Sequence, residues 1–161
     1  MSILIKGIEM PVACFDMAGA VYPCWKNEFT IGEAGGNSIP ETVIANCLTF
    51  SVAINGNVEE WTAFENEGWK SRELTGKDIV LTVTAKRTVG DTGNDMVAGC
   101  EFATLDNAKK DFAWMLLDGS KVWLKNAVVN VTNDGTGDAT NVGELSFTVS
   151  SNGKPTFVPA A

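Results

Sequence analysis

Few side chains in this sequence are equipped for chemistry, and what is missing narrows the field first. The 161 residues include no histidine. Ser-His-Asp and Cys-His catalysis are therefore excluded, as are zinc sites built on imidazole. Carboxylate, lysine or tyrosine chemistry survives, and Tyr22 is the single tyrosine. Cys14, Cys24, Cys47 and Cys100 lie far apart and form no Cys-x-x-Cys pair. The expectation is four reduced thiols, mostly buried, and no metal site.

Carboxylates offer little more. Glu59-Glu60, or Glu65 with Glu67, are the nearest approach to the paired acids of a glycosidase. Adjacent acids on a strand point to opposite faces, so surface acidity accounts for them. Asp134, Thr136 and Asp138 place oxygens at alternate positions, as a calcium loop does. Such a loop then requires a glycine and a distant glutamate, where this chain has Ala139 and Leu145. The segment reads as a solvated hairpin loop. No catalytic residue, metal or cofactor is expected, and the chain does not read as an enzyme.

The totals describe one ordinary domain: 45% of the residues are hydrophobic and 20% charged, enough apolar material to fill a core. Twenty acids against 12 bases leave a net charge of −8. Wrapping nucleic acid requires a cationic surface, so that class is disfavoured. An acidic wall that lets DNA slide past is compatible with the balance. The opening Met1-Ser-Ile-Leu-Ile-Lys6 has too short an apolar run for a secretory h-region of roughly 7–15 residues. Nothing approaches the roughly 20 apolar residues of a membrane-spanning helix. A cytosolic product with no membrane partner is the expectation.

Period-two alternation dominates the elements that would position any site. Leu48, Phe50, Val52 and Ile54 oppose Thr49, Ser51, Ala53 and Asn55. Ile79, Leu81, Val83 and Ala85 oppose Thr82, Thr84 and Lys86. Leu145, Phe147 and Val149 oppose Glu144, Ser146, Thr148 and Ser150. These are strands with one buried and one polar face. Residues 121–132 begin with Val122 and Leu124 in phase, then shift to Ala127, Val129 and Val131, which predicts a bulge near Lys125-Asn126. That strand pairs with residues 111–117 through an Asp118-Gly119 turn. Met96, Val97, Cys100 and Ala103 recur at helical spacing and predict one helix over 93–104, capped by Thr92 or Asn94.

The remaining stretches carry less pattern. Residues 1–47 read as a partly irregular N-terminal arm, with Ser38 to Glu41 able to open a short helix through a capping box. Residues 57–76 read as a long inter-strand loop holding Trp61, Phe64 and Trp69, and residues 133–142 as a turn-rich loop. Residues 152–161 read as an extended C-terminal tail. Trp114 and Trp123 fall in predicted strands and are assigned to the core. Trp61 and Trp69 are open to two uses, as stacking platforms for a sugar or as anchors of a protein interface, where tryptophan is enriched. The fold class is mainly β, with one flanking α-helix.

The run Glu60-Trp61-Thr-Ala-Phe-Glu-Asn-Glu-Gly68-Trp69-Lys-Ser-Arg72-Glu-Leu74-Thr-Gly76-Lys77, followed by a strand and Gly90-Asp91-Thr-Gly-Asn94-Asp95, resembles major tail tube proteins of long-tailed bacteriophages. The ending Leu145-Ser-Phe-Thr-Val-Ser-Ser-Asn-Gly153-Lys-Pro155 is similar to that family's last strand and exit. The resemblance covers residues 57–104 and 111–158, and residues 1–56 loosely.

It implies a β-sandwich or partly open barrel with a flanking helix, shared with contractile tail and type VI secretion tubes. Six copies would form a ring, and rings would stack into a tube in the virion tail, assembled in the host cytoplasm. DNA would pass through without specific binding. Tape measure and tail terminator or tip proteins would be the other partners. On this reading Thr49, Ser51, Thr82, Thr84, Glu144, Ser146, Thr148 and Ser150 would line the channel. Trp61, Phe64, Trp69, Arg72 and Phe157 would contact neighbouring subunits or rings. The competing expectation is a ligand- or carbohydrate-binding β-sandwich module.

Overall fold

The computed structural model describes residues 19–160; Cys14 and the rest of the first 18 residues lie outside them. The alternating segments become the long strands β3 (Cys47–Trp61), β4 (Ser71–Lys86), β6 (Lys121–Thr136) and β7 (Glu144–Ser150). Before them come β1 (Glu28–Glu33) and β2 (Thr42–Val43), with β5 (Lys109–Met115) and β8 (Thr156–Val158) completing the set. All pairs are antiparallel in one sheet of order β2-β1-β5-β6-β7-β4-β3, with β8 beside the start of β6.

The bulge expected at Lys125-Asn126 folds this sheet on itself. Lys110 pairs with Ala127 and Phe112 with Leu124, so two residues of β6 face Asp111 alone. Asn126 takes the left-handed φ of 53°, and its backbone N–H donates to the Asp111 carboxylate at 3.0 Å. Beyond the bend β6 leaves β5 for β7, and the two halves of the sheet face each other as a sandwich. Phe29 meets Phe50 edge-on at 5.1 Å, Phe50 meets Trp114 at 6.1 Å, and Phe112 meets Phe147 at 6.5 Å. Leu81, Val83, Phe112, Leu145, Phe147 and Val149 are fully buried between them. Each such side chain contributes about 1.5–3 kcal/mol on leaving water. Trp114 is half-buried against this core, as expected from its strand, whereas Trp123, expected in the core, is buried on the opposite face of β6 from Val122 and Leu124, with Lys125 Nζ 4.3 Å over its ring.

Three expectations need correction. The N-terminal stretch holds two strands, and Ser38 to Glu41 is a bend leading into β2, with no helix. Phe29, Thr30 and Ile31 are all buried, so β1 has no polar face and shows no alternation. The single α-helix among the described residues, α1, spans Thr92–Ala98 and stops at Gly99, because turns at Cys100 and Ala103 carry the chain on. Its cap is Asp91, whose carboxylate accepts from the Asn94 N–H at 3.0 Å. Residues 57–76, expected as a loop, continue β3 and β4 as a paired ribbon with only a short tip between Trp61 and Ser71.

Candidate assembly surfaces

The eight channel-lining candidates lie together on one face of the sheet. Thr49 pairs with Thr84 and Thr84 with Ser146, while Ser51, Thr82, Thr148 and Asn130 form the next row. Ser150 stands between Val80 and Val128, and Glu144 pairs with Lys86. The opposite face of these strands carries Val52, Leu81, Val149 and Val129 into the core. A hydroxyl-rich surface of four strands results, with cross-strand Thr and Ser neighbours in rows. Asn130 joins it because β6 changes phase at the bulge. Glu144 accepts from Asn133 Nδ2 at 3.1 Å and from Ser146 Oγ at 3.4 Å. Lys86 stands opposite it, so that end of the face is close to neutral.

Both lateral edges of this four-stranded face lack a strand partner among the described residues. β3 pairs with β4 alone, and β6 beyond Val128 pairs with β7 alone.

β3 and β4 outrun β7, whose ladder on β4 ends at Val80. From Ile54 to Ile79 they form a two-stranded arm, projecting roughly 25 Å at the usual strand rise. The core-side phase continues along it: Ile54 opposite Ile79, then Val58 opposite Leu74. Ile54, Val58 and Leu74 are 60%, 50% and 51% exposed, left uncovered by the described residues. A bulge at Thr75 is buckled by Asn57, whose side-chain amide donates to Thr75 Oγ1 at 2.8 Å while that hydroxyl donates to the Asn57 carbonyl. At the tip, Glu67 and Gly68 take φ of 53° and 89°, and Asn66 Nδ2 donates to Ser71 Oγ at 2.9 Å. This stapled turn holds Phe64 and Trp69 outward, Trp69 at 79% exposure and Phe64 with no cover at all.

Of the other contact candidates, Trp61 is exposed opposite Ser71 and Phe157 is exposed on β8. Arg72 Nε sits 2.6 Å from Glu60 Oε2, and Lys70 Nζ 3.3 Å from Glu60 Oε1. Arg72 and then Lys70 hold the Glu60 carboxyl below the ordinary carboxylate range. Glu59 and Glu60 face opposite ways, as strand geometry requires, and Glu59 stands across from Glu73.

The Gly90–Asp95 motif serves as a joint. Arg87 Nη1 donates to Asn94 Oδ1 and Asp95 Oδ1, each at 2.8 Å, and Arg87 Nε lies 3.5 Å from Asp134 Oδ1. Fully buried Asn94 also accepts from the Thr88 N–H and donates to the Lys86 carbonyl. Asp91 reaches the Ala45 N–H at 3.2 Å, tying α1 to the link between β2 and β3. A Cβ at Gly93 would collide with the Val43 carbonyl, which is why glycine stands there. Asp134, expected in a loop, is therefore a strand residue paired to Arg87.

Nucleophilic chemistry finds no support in the thiols. Burial and then the Asp91 charge push Cys47 up to about 11, and burial raises Cys100. Cys100 is buried and Cys47 half-buried, but Cys24 is exposed, contrary to expectation. Glu101 is raised by the neighbouring Asp134 carboxylate, on an exposed connector. Among the described residues no group of His, Cys, Asp and Glu is placed to hold a metal, and no helix is long and apolar enough to cross a membrane.

No protein-family model and no curated protein sequence matches this chain. Solved structures do. A chain from the tail of an empty gene transfer agent particle, refined with C6 helical symmetry, aligns with a TM-score of 0.63 at 17% identity, over 86% of this chain and 100% of that one. A chain of the sheath-tube complex of an extracellular contractile injection system in its extended state aligns at 0.61 and 14%, over 94% and 100%. A chain of the tube-terminating cap of the anti-feeding prophage aligns at 0.59 and 16%, over 92% and 100%. The fold is tail-tube-like: a mainly β sandwich with one flanking helix, as found in these tail and injection assemblies.

Proposed function

We propose that this chain is a structural subunit of a phage-type tail tube, polymerising as stacked hexameric rings around a conduit for DNA. The observation that carries the reading is the arm: a projecting ribbon whose core-phase face carries Ile54, Ile79, Val58 and Leu74, of which Ile54, Val58 and Leu74 are left exposed by the described residues. A two-stranded ribbon is marginal by itself in water, so cover from a neighbouring copy would stabilise it. The C6 symmetry of the gene transfer agent tail supports six copies.

Strand direction supports the same arrangement. β3 and β7 run one way, β4 and β6 the other. The free edge of β3 in one copy and that of β6 in the next would meet antiparallel, continuing the ladder around a ring and removing both exposed edges. The bore would then be lined by Thr49, Ser51, Thr82, Thr84, Glu144, Ser146, Thr148 and Ser150, hydroxyls that give a passing polyanion no apolar or strongly cationic hold. Trp61, Phe64, Trp69 and Arg72 on the arm, with Phe157 on β8, would contact adjacent subunits or rings. Tape measure and terminator or tip proteins would be the other partners, and assembly would take place in the host cytoplasm. The chain performs no catalysis on this reading.

Negative-stain microscopy of the concentrated protein tests it. Rings or tubes on the order of 100 Å across are expected from six domains of this size around a channel. A species that stays monomeric at every concentration and salt would end the proposal.

A further inference from the structure

The bend that folds the sheet holds a buried acid with only half of its hydrogen bonding made. Asp111 is 2% exposed. Its Oδ1 accepts from the Asn126 N–H at 3.0 Å, while its Oδ2 is buried and has no partner among the described residues. A carboxylate taken out of water with one oxygen orphaned is costly unless a proton or a cation meets it. The adjacent ammonium does not, since Lys110 Nζ turns to Glu33 Oε2 at 3.0 Å.

The orphaned oxygen faces the turn that follows β1. A Cβ placed on Gly36 would stand 3.4 Å from Asp111 Oδ2, 3.7 Å from the Ser38 carbonyl oxygen and 3.8 Å from the Glu33 carbonyl oxygen. Outside Gly36 and its two chain neighbours these are the nearest atoms to that point, and all three are oxygens. With Asp111 ionised none of them carries a hydrogen, so three acceptors converge on one space without a donor among them. Backbone conformation does not demand the glycine, because its φ lies outside the left-handed region and a methyl group would meet only ordinary contacts. What glycine does is leave the space open. Gly36 itself is exposed, so an ion can enter from solvent.

We propose that Asp111 Oδ2 and the carbonyl oxygens of Glu33 and Ser38 form a calcium site under Gly36. The donor set is one carboxylate and two main-chain carbonyls, all hard oxygens, with water completing the shell. Closing the exposed turn by about 1 Å brings the three oxygens to a calcium bond length of roughly 2.3–2.6 Å. Magnesium demands near-octahedral geometry and gives up water reluctantly, so it suits this uneven set less well. With a single charged ligand the affinity is weak, a Kd of about 0.1–1 mM. The ion ties the turn after β1 to the bulge at Asn126, and the site is independent of the tube reading.

Thermal unfolding of the dilute full chain, freed of metal with EGTA, tests the site. Calcium chloride at about 10 mM should raise the melting temperature by at least about 3 °C over sodium chloride of equal ionic strength. Magnesium chloride should raise it by less than about 1 °C. Gly36→Ala fills the space with a methyl group; it should melt within about 1 °C of the parent in EGTA and lose the calcium response. Asp111→Asn turns an amide donor toward the two carbonyls, so it should melt at or above the parent in EGTA and be unmoved by calcium. If Asp111→Asn fails to fold, Gly36→Ala alone decides. A parent that calcium does not stabilise beyond sodium or magnesium would overturn the site and leave a proton on Asp111 to bridge the oxygens. An equal calcium response in Gly36→Ala would overturn it too, by placing the bound ion elsewhere on the acidic surface.

Discussion

The same two strands behave differently at their two ends, and the contrast isolates what assembly must supply. At Phe50 and Val52, and at Leu81, Val83 and Ala85, the apolar phase of β3 and β4 is buried or half-buried, with Phe50 packed on Phe29 and Trp114. From Ile54 to Trp61, and from Ser71 to Ile79, the strands stay paired with one bulge at Thr75, and the apolar side chains Ile54, Val58 and Leu74 are open to water. Strand formation is thus common to both regions, while burial belongs to one. On the proposed tube, the arm's apolar positions answer to a partner, and substitutions there should separate folding from assembly.

The largest effect should come from the packed end. Phe147→Ala removes a fully buried ring from the middle of the core and should cost about 3–5 kcal/mol in urea denaturation, abolishing assembly only because the protomer unfolds. Trp69→Ala at the tip should reverse that order. Its unfolding free energy should change by no more than about 0.5 kcal/mol, while loss of an aromatic anchor weakens polymerisation roughly thirtyfold by sedimentation. Equal loss of stability and assembly would assign Trp69 to the core and dissolve the contrast.

A smaller effect is expected at the joint that fixes α1 on the packed end. Asp91→Ala removes the helix cap and the bond to the Ala45 N–H, and should cost about 1–2 kcal/mol. Thermal unfolding with unchanged assembly per folded molecule would place this residue wholly in the body. Cys47 sharpens the boundary by pH. Its thiol is raised from 9.0 to about 11, so the folded state holds its proton longer than the unfolded chain. Its contribution to stability is full below pH 9.0 and is lost as pH climbs toward about 11. Cys47→Ala should flatten that stretch of the stability profile, and an unchanged slope would contradict the burial argument. The smallest change should follow Asn126→Gly, which relieves a left-handed φ that asparagine already tolerates, with a gain of at most a few tenths of a kcal/mol.

Much of the body could be read from the residues alone. The slip from Leu124 to Ala127 located the bulge, since a period of two cannot change phase without an extra residue, and Asp118-Gly119 located the turn before β6. The polar face was legible for the same reason: Thr82, Thr84, Ser146 and Thr148 share a phase within their own strands. β1 escaped because Phe29, Thr30 and Ile31 are buried on both sides and leave no alternation to detect. The arm was taken for a loop because Gly56, Gly68 and Gly76, with the bulge at Thr75, interrupt the pattern between Asn57 and Leu74. The helix was overextended because Cys100 and Ala103 turn inward through consecutive turns that keep helical spacing without helical hydrogen bonds.

What the sequence by itself determined is local: which segments are strands, which face of each is apolar, and where the ladder must slip. Those follow from side-chain alternation and turn chemistry, which operate between near neighbours. Only the tertiary structure decided which apolar faces find cover. That depends on residues far apart in the chain, such as Phe29 meeting Phe50 or Arg87 gathering Asp95 and Asp134. The arm kept the local pattern and received no cover, because no other segment among the described residues reaches it.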